Sequence, residues 1–270
     1  MPHITTPEAE ALLDKEFPVL DRGFVRLVDY MGSDQRIVAA ARVSYGTGTK
    51  TVREDEVLIN YLMRHEHTSP LEQVVLTFHV KLPIFVARQW IRHRTARVNE
   101  ISGRYSVMKD ECYLPAEESL RTQSTINKQG RAETPVSPES AKTIVEEMAA
   151  GQRDAYARYE AMLASDLARE VARIGLPLSL YTEWYWQIDL HNLFHFLKLR
   201  LDAHAQWEIR EYARVMAEIT KAVAPMAYAA FETYELKQVK FSAETLEWLR
   251  ANLPEGLDIP LELRERLEVK

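Results

Sequence analysis

One cysteine in 270 residues, Cys112, leaves no intrachain disulfide framework and suits a reducing compartment. No apolar run approaches the ~20 residues that a membrane-crossing helix needs, so no membrane partner is expected. The opening Met-Pro-His-Ile-Thr-Thr has neither a basic n-region nor an apolar h-region. No signal peptide is therefore expected, and the chain reads as cytoplasmic. Positive charge is also scarce: 34 Lys and Arg against 40 Asp and Glu leave a net −6. A general nucleic-acid binder is normally basic, so no nucleic-acid partner is expected. Internal repeats and low-complexity tracts are missing. His191 and His195 stand four apart on a predicted helix with Asp202 seven further on, a spacing that can ligate a metal. Without a His-Glu-x-x-His motif, and with the lone cysteine remote, no metal is expected.

What the chain does have is apolar content, 46% of its residues, enough for a large core. Ser33-Asp34 caps a predicted helix that carries Ile37, Val38, Ala41 and Val43 and ends near Tyr45-Gly46. A second helix is expected from Glu54 to His65, with Val57, Tyr61 and Leu62 inward. From Val74 to Lys81, apolar Val74, Leu76, Phe78 and Val80 alternate with their neighbours at strand spacing. Pro83 then opens a short helix carrying Phe85, Val86 and Trp90. Residues 116–140, polar and holding Gly130, Pro135 and Pro138, are expected to form a surface excursion. Ser137-Pro138 begins a long helix with Ile144, Met148 and Tyr156 near its apolar face, broken at Gly175-Leu176-Pro177. Tyr181–Ile188 is strand-like, and helices follow near 191–201 and 205–224. With no regular βαβ alternation, the expected class is α+β, a mixed or antiparallel sheet flanked by helices. One domain is expected over 1–235, with a charged, mostly helical extension over 236–270.

The densest chemistry lies in Arg92-His93-Arg94-Thr95-Ala96-Arg97-Val98-Asn99-Glu100-Ile101-Ser102-Gly103-Arg104-Tyr105. Four arginines and a histidine meet one carboxylate there. A core cannot hold that charge unpaired, and guanidinium forks grip phosphate oxygens in pairs. Gly103 permits a close backbone approach that a solvated helix face does not need. The stretch reads as an anion-binding turn, against the plainer alternative of a solvated face whose arginines, Arg92, Arg104 or the distant Arg173, make surface salt bridges to Glu100 or Asp110.

Arg-His-Arg, seven residues, then Ser102, with Gly103-Arg104-Tyr105-Ser106 after it, resembles the signature of the flavin-dependent thymidylate synthases. The segment His65–Glu72 is similar to that family's flavin-contacting stretch. Phe85–Ile91, Ala172-Arg173-Ile174, Leu199–Asp202 and His204–Ile209 extend the resemblance from about residue 25 to 235. It implies an enzyme that methylates deoxyuridine monophosphate (dUMP) to thymidine monophosphate (dTMP). It also implies 5,10-methylenetetrahydrofolate as carbon donor, FAD reduced by NADPH, and a homotetramer. On the nucleotide side it implies Gln89, Arg92, Glu100, Ser102, Gly103, Arg104 and Arg173, with Arg200 activating the uracil. On the FAD side it implies Ser44, His67, Ser69, Arg92, His93, Arg94, Glu100, Asp189, His191 and His195.

An arginine cannot serve as a base, so the work implied for Arg200 is electrostatic. Its plainer reading is a helix-terminal arginine near Asp202. Arg88 and Arg97 read as structural, and Arg97 stands where many relatives carry serine. Cys112, beside Asp110 and Glu111, is expected to be an inert thiol, since carboxylates raise its pKa. Two other readings stand beside the leading one. They are a flavin oxidoreductase on another substrate, and a non-catalytic nucleotide or RNA-binding module that uses the arginine turn as a phosphate clamp.

Overall fold

The computed structural model describes residues 3–43, 52–126, 128–254 and 263. In chain order the elements begin with α1 (Pro7–Glu10), β1 (Glu16–Val19), β2 (Gly23–Met31), α2 (Asp34–Arg42) and α3 (Val52–Arg64). The signature region comprises β3 (Val75–Pro83), α4 (Ile84–Trp90) and β4 (Arg97–Glu100). After it come β5 (Arg121–Gln123), β6 (Arg131–Pro135), α5 (Pro138–Ala164), α6 (Arg169–Ala172) and β7 (Tyr181–Asp189). The chain continues through α7 (Leu190–Arg200), α8 (Trp207–Val223), α9 (Pro225–Phe231) and α10 (Ala243–Asn252).

The alternating apolar residues of β3 pair with β7 in antiparallel register, Phe78 opposite Trp186 and Val80 opposite Trp184. The sheet runs β1-β2-β3-β7-β4, each neighbour antiparallel, so the expected α+β class holds. Leu76, Phe78 and Val80 share one buried face with Trp184, Trp186 and Ile188, because side chains two apart on a strand point the same way. The indole of Trp90 lies 5.3 Å from Trp186, 4.7 Å from Phe196 and 6.0 Å from Tyr212 between ring centroids. Fully buried, it pins the end of α4 to the sheet, α7 and α8 together. The charged turn begins two residues later. A second, smaller core of Met108, Cys112, Tyr159, Ala172 and Leu180 fastens the stretch after the turn to α5 and α6.

Three sequence expectations need correction. The long helix ends at Ala164, eleven residues before Gly175, in a Schellman turn. Asp166 takes a left-handed φ of +61°, Leu167 N donates to Met162 O, and Asp166 N donates to Leu163 O. The described part of residues 116–140 is the expected surface excursion, with no buried residue, and within it β5 and β6 pair as a hairpin. On α3, Leu62 is buried, but Val57 is 66% exposed and Tyr61 50%. Ser33 precedes α2 without a side-chain cap. Asp34 instead caps α9, its carboxylate receiving Met226 N at 2.8 Å and Ala227 N at 3.0 Å. Asp34→Ala strands the buried Ala227 N–H and the part-buried Met226 N–H, so unfolding stability should fall by about 1–3 kcal/mol. A urea midpoint equal to wild type would show that the two N–H groups find other partners.

Candidate active site

Two basic groups flank β4 along the chain. The first joins the ends of α4 and α7. Arg200 Nε donates to His93 Nε2 at 3.0 Å, and Arg200 Nη2 donates to the Gln89 carbonyl at 3.4 Å. The His93 ring packs against Phe196 at 4.9 Å and His195 at 5.8 Å. Burial first, then Arg200 and His195, lower its pKa from 6.5 to about 4. His93 is therefore a neutral acceptor at pH 7, with its proton on Nδ1. Arg200 is half-buried, and burial lowers its pKa, yet a guanidinium keeps its charge in proteins. Among the described residues it has no carboxylate partner. Asp202, the partner foreseen by the plainer reading, bonds to His204 N at 2.7 Å instead.

This arrangement fixes a pH dependence. The folded His93 binds its proton more weakly than the unfolded chain does. Its neutral packing therefore favours the fold above pH 6.5, and that contribution is lost as pH falls towards 4. An NMR titration should give His93 a midpoint near 4. A midpoint near the ordinary imidazole value would refute the neutral Arg200–His93 contact.

The second group is the turn after β4. Tyr105 N and Ser106 N donate to Ser102 O, each at 3.1 Å, and Arg104 N donates to Ser102 Oγ at 3.3 Å. A Cβ on Gly103 would lie 3.0 Å from Met108 Sδ and 3.1 Å from Arg173 Cδ. Glycine there is what lets Arg173 lie against the turn. Arg104 Nε pairs with Glu170 Oε2 at 2.9 Å, both side chains more than half exposed. The partner is thus neither Glu100 nor Asp110. Glu100 Oε1 instead accepts Thr182 Oγ1 at 2.6 Å. Among the described residues, no hydrogen bond or ion pair joins this group to Arg200.

A third region faces α7. The Schellman turn ending α3 puts Glu66 at φ +57°, with His67 N donating to Leu62 O at 2.9 Å, and so sets where His67 emerges. His67 and Ser69 are exposed, next in sequence to Glu66 and Thr68, which with His191, His195 and Lys198 help to line a cavity of about 220 Å³. Asp189 has a structural task, capping α7 by accepting Asn192 N at 3.0 Å. Arg92 and Arg94 are exposed, and their side chains make no hydrogen bond or ion pair among the described residues. Ser44 lies outside the described residues.

Arg97 is exposed, its Nη1 donating to Gln187 Oε1 at 3.3 Å. Cys112 is buried, and its thiol pKa is raised mainly by burial, with Asp110 adding to it. Among the described residues, no group of three His, Cys, Asp or Glu could hold a metal ion, and no helix is long and apolar enough to cross a membrane.

Sequence reasoning missed one network. Glu208, 3% exposed, accepts Arg131 from the hairpin, Tyr113 Oη at 3.3 Å and Gln206 Nε2 at 2.8 Å. Gln206 Oε1 in turn accepts Gln89 Nε2. Its members span 119 positions, from 89 to 208, so local spacing held no signal for it.

A family model described as "Thymidylate synthase complementing protein" matches residues 26–226. A flavin-dependent thymidylate synthase of Treponema denticola is 63% identical over 253 residues, covering 94% of this chain and 95% of its own. The enzyme of the same name from Treponema pallidum is 58% identical over 269 residues, 99% of this chain and 88% of its own. Among solved structures, the UMP/dUMP methylase PolB of Streptomyces cacaoi bound with 5-Br dUMP superposes with a TM-score of 0.73. It shares 31% identity and covers 82% of this chain and 99% of that one.

Proposed function

The chain belongs to the flavin-dependent thymidylate synthases, and from that premise we propose that its two arginine groups hold dUMP while Arg200 polarises the uracil. The observation that carries this reading is the half-buried Arg200, cationic, held by a neutral histidine and a carbonyl, and without a carboxylate partner among the described residues. Such a cation favours an anion arriving beside it. Arg104 and Arg173, with the Ser102-Gly103 turn between them, suit the phosphate. Gln89, Arg92 and Glu100 complete the nucleotide set.

The residues also fit FAD. His191 and His195 line one cavity, His67 and Ser69 stand exposed next in sequence to its Glu66 and Thr68, and among the described residues the exposed Arg92 and Arg94 have no hydrogen-bond or ion-pair partner, as an anionic diphosphate requires. His93 and Glu100 border both sets. When bound, FAD reduced by NADPH supplies the hydride that completes the methyl group carried over from 5,10-methylenetetrahydrofolate. The protein's own part is to fix the pyrimidine and, through Arg200, to stabilise negative charge on its N3 and carbonyl oxygens.

The reading includes a homotetramer working in the cytoplasm. Exposed Val98, Ile101, Tyr105 and Ile174 beside the turn support the assembly. It also includes a catalytic unit ending near residue 235, since Tyr234 and Leu236 still pack on the main core whereas α10 buries no residue. The test is direct. Purified protein should be yellow and should form dTMP from dUMP only when methylenetetrahydrofolate and NADPH are both present. Colourless protein that binds dUMP would instead favour the non-catalytic module, and NADPH oxidation without dTMP the other oxidoreductase.

A further inference from the structure

We infer that Glu208 is a positioning residue, which through Gln206 sets the hydrogen-bonding sense in which Gln89 meets the nucleotide. The inference rests on the reading of Gln89 as a dUMP contact. A primary amide has a donor end and an acceptor end of nearly equal shape, so an isolated glutamine can present either one. An ionised carboxylate only accepts. Glu208 sits in the first turn of α8, where helix N–H groups favour negative charge, and Arg131 pairs with it. Tyr113 beside it stays a neutral donor, its pKa raised by burial and by Glu208.

Glu208 therefore takes the NH2 end of Gln206, at 2.8 Å. That turns the Gln206 carbonyl towards Gln89, which must answer with its own NH2. Gln89 Oε1 is left without a partner among the described residues, an acceptor for a donor of the nucleotide. The Gln89 main-chain carbonyl meanwhile receives Arg200, so one residue couples the relay to the polarising cation. The hairpin over residues 121–135 acquires a task here: it delivers Arg131, whose guanidinium also lies 5.7 Å above the Trp207 ring. Without Arg131 the buried carboxylate would lose its compensating charge.

The experiment is titration of dUMP into FAD-loaded protein carrying Glu208→Gln, Gln206→Met or both, in wild-type and Gln89→Met backgrounds. Flavin absorbance reports that each variant is folded. Glu208→Gln keeps the shape but can present either end, and Gln206→Met cuts the relay at an exposed position that folding tolerates. Each should weaken dUMP roughly three- to tenfold, raising KM more than it lowers kcat, and neither should add to Gln89→Met. Equal weakening in both backgrounds, or none from Gln206→Met, would overturn the relay while leaving Gln89 as a ligand. Unchanged dUMP affinity in Gln89→Met alone would overturn the assignment of Gln89 itself, and the relay with it.

Discussion

Arg200→Ala should lower turnover about a hundred- to a thousandfold while the protein remains yellow, a loss typical of removing one preorganised electrostatic contact. Two of the guanidinium's donors are committed to His93 and Gln89, and these fix its plane. Among the described residues the remaining donors have no partner, so they can meet a ligand oxygen. Because arginine keeps its proton, it acts by stabilising negative charge. Charge placed on the uracil N3 and carbonyl oxygens makes the ring enolate-like and raises electron density at C5, the carbon that attacks the one-carbon unit. The half-buried setting strengthens that effect relative to water. Arg200→Lys keeps a charge but cannot make the same fork, so it should fall between wild type and alanine. A near-normal kcat in the alanine variant would remove the role.

The legibility of this chain followed the range of the forces involved. β3 and β7 were readable because alternation and aromatic content are local signals, and the long helix was readable at its start because Ser137 accepts the N–H of Ser140. Its end was not, because aspartate rather than glycine takes the left-handed position. The hairpin escaped notice because its strands, three and five residues of mostly exposed polar type, bury nothing that would impose a period. Val57 and Tyr61 were assigned inward from helical spacing alone, which does not say which face meets a partner.

At the site, residue types were legible from the signature, but their partners were not. Arg200 and His93 lie 107 positions apart, and a depressed imidazole pKa is a property of burial rather than of sequence. Gly103 is the exception. A glycine between Ser102 and Arg104 announced a close approach, and the group that approaches is Arg173.

That approach sets the second large effect. Arg173→Ala should weaken dUMP roughly ten- to a hundred-and-fifty-fold, the range for a lost charge-assisted hydrogen bond. Affinity for deoxyuridine, which has no phosphate, should not change. Arg104 behaves differently because it already has an anion: Glu170 holds its Nε at 2.9 Å. Both side chains are largely exposed, so that pair is worth little by itself. A phosphate dianion at the turn competes with Glu170 for the same fork and carries more charge. Removing the competitor, as in Glu170→Ala, should therefore tighten dUMP a fewfold where Arg173→Ala loosens it. Opposite signs from two substitutions three positions apart would locate the phosphate at the Ser102-Gly103 turn. Weakening by both would mean that Glu170 orients Arg104 for the nucleotide, and loss of deoxyuridine affinity in Arg173→Ala would move the phosphate elsewhere.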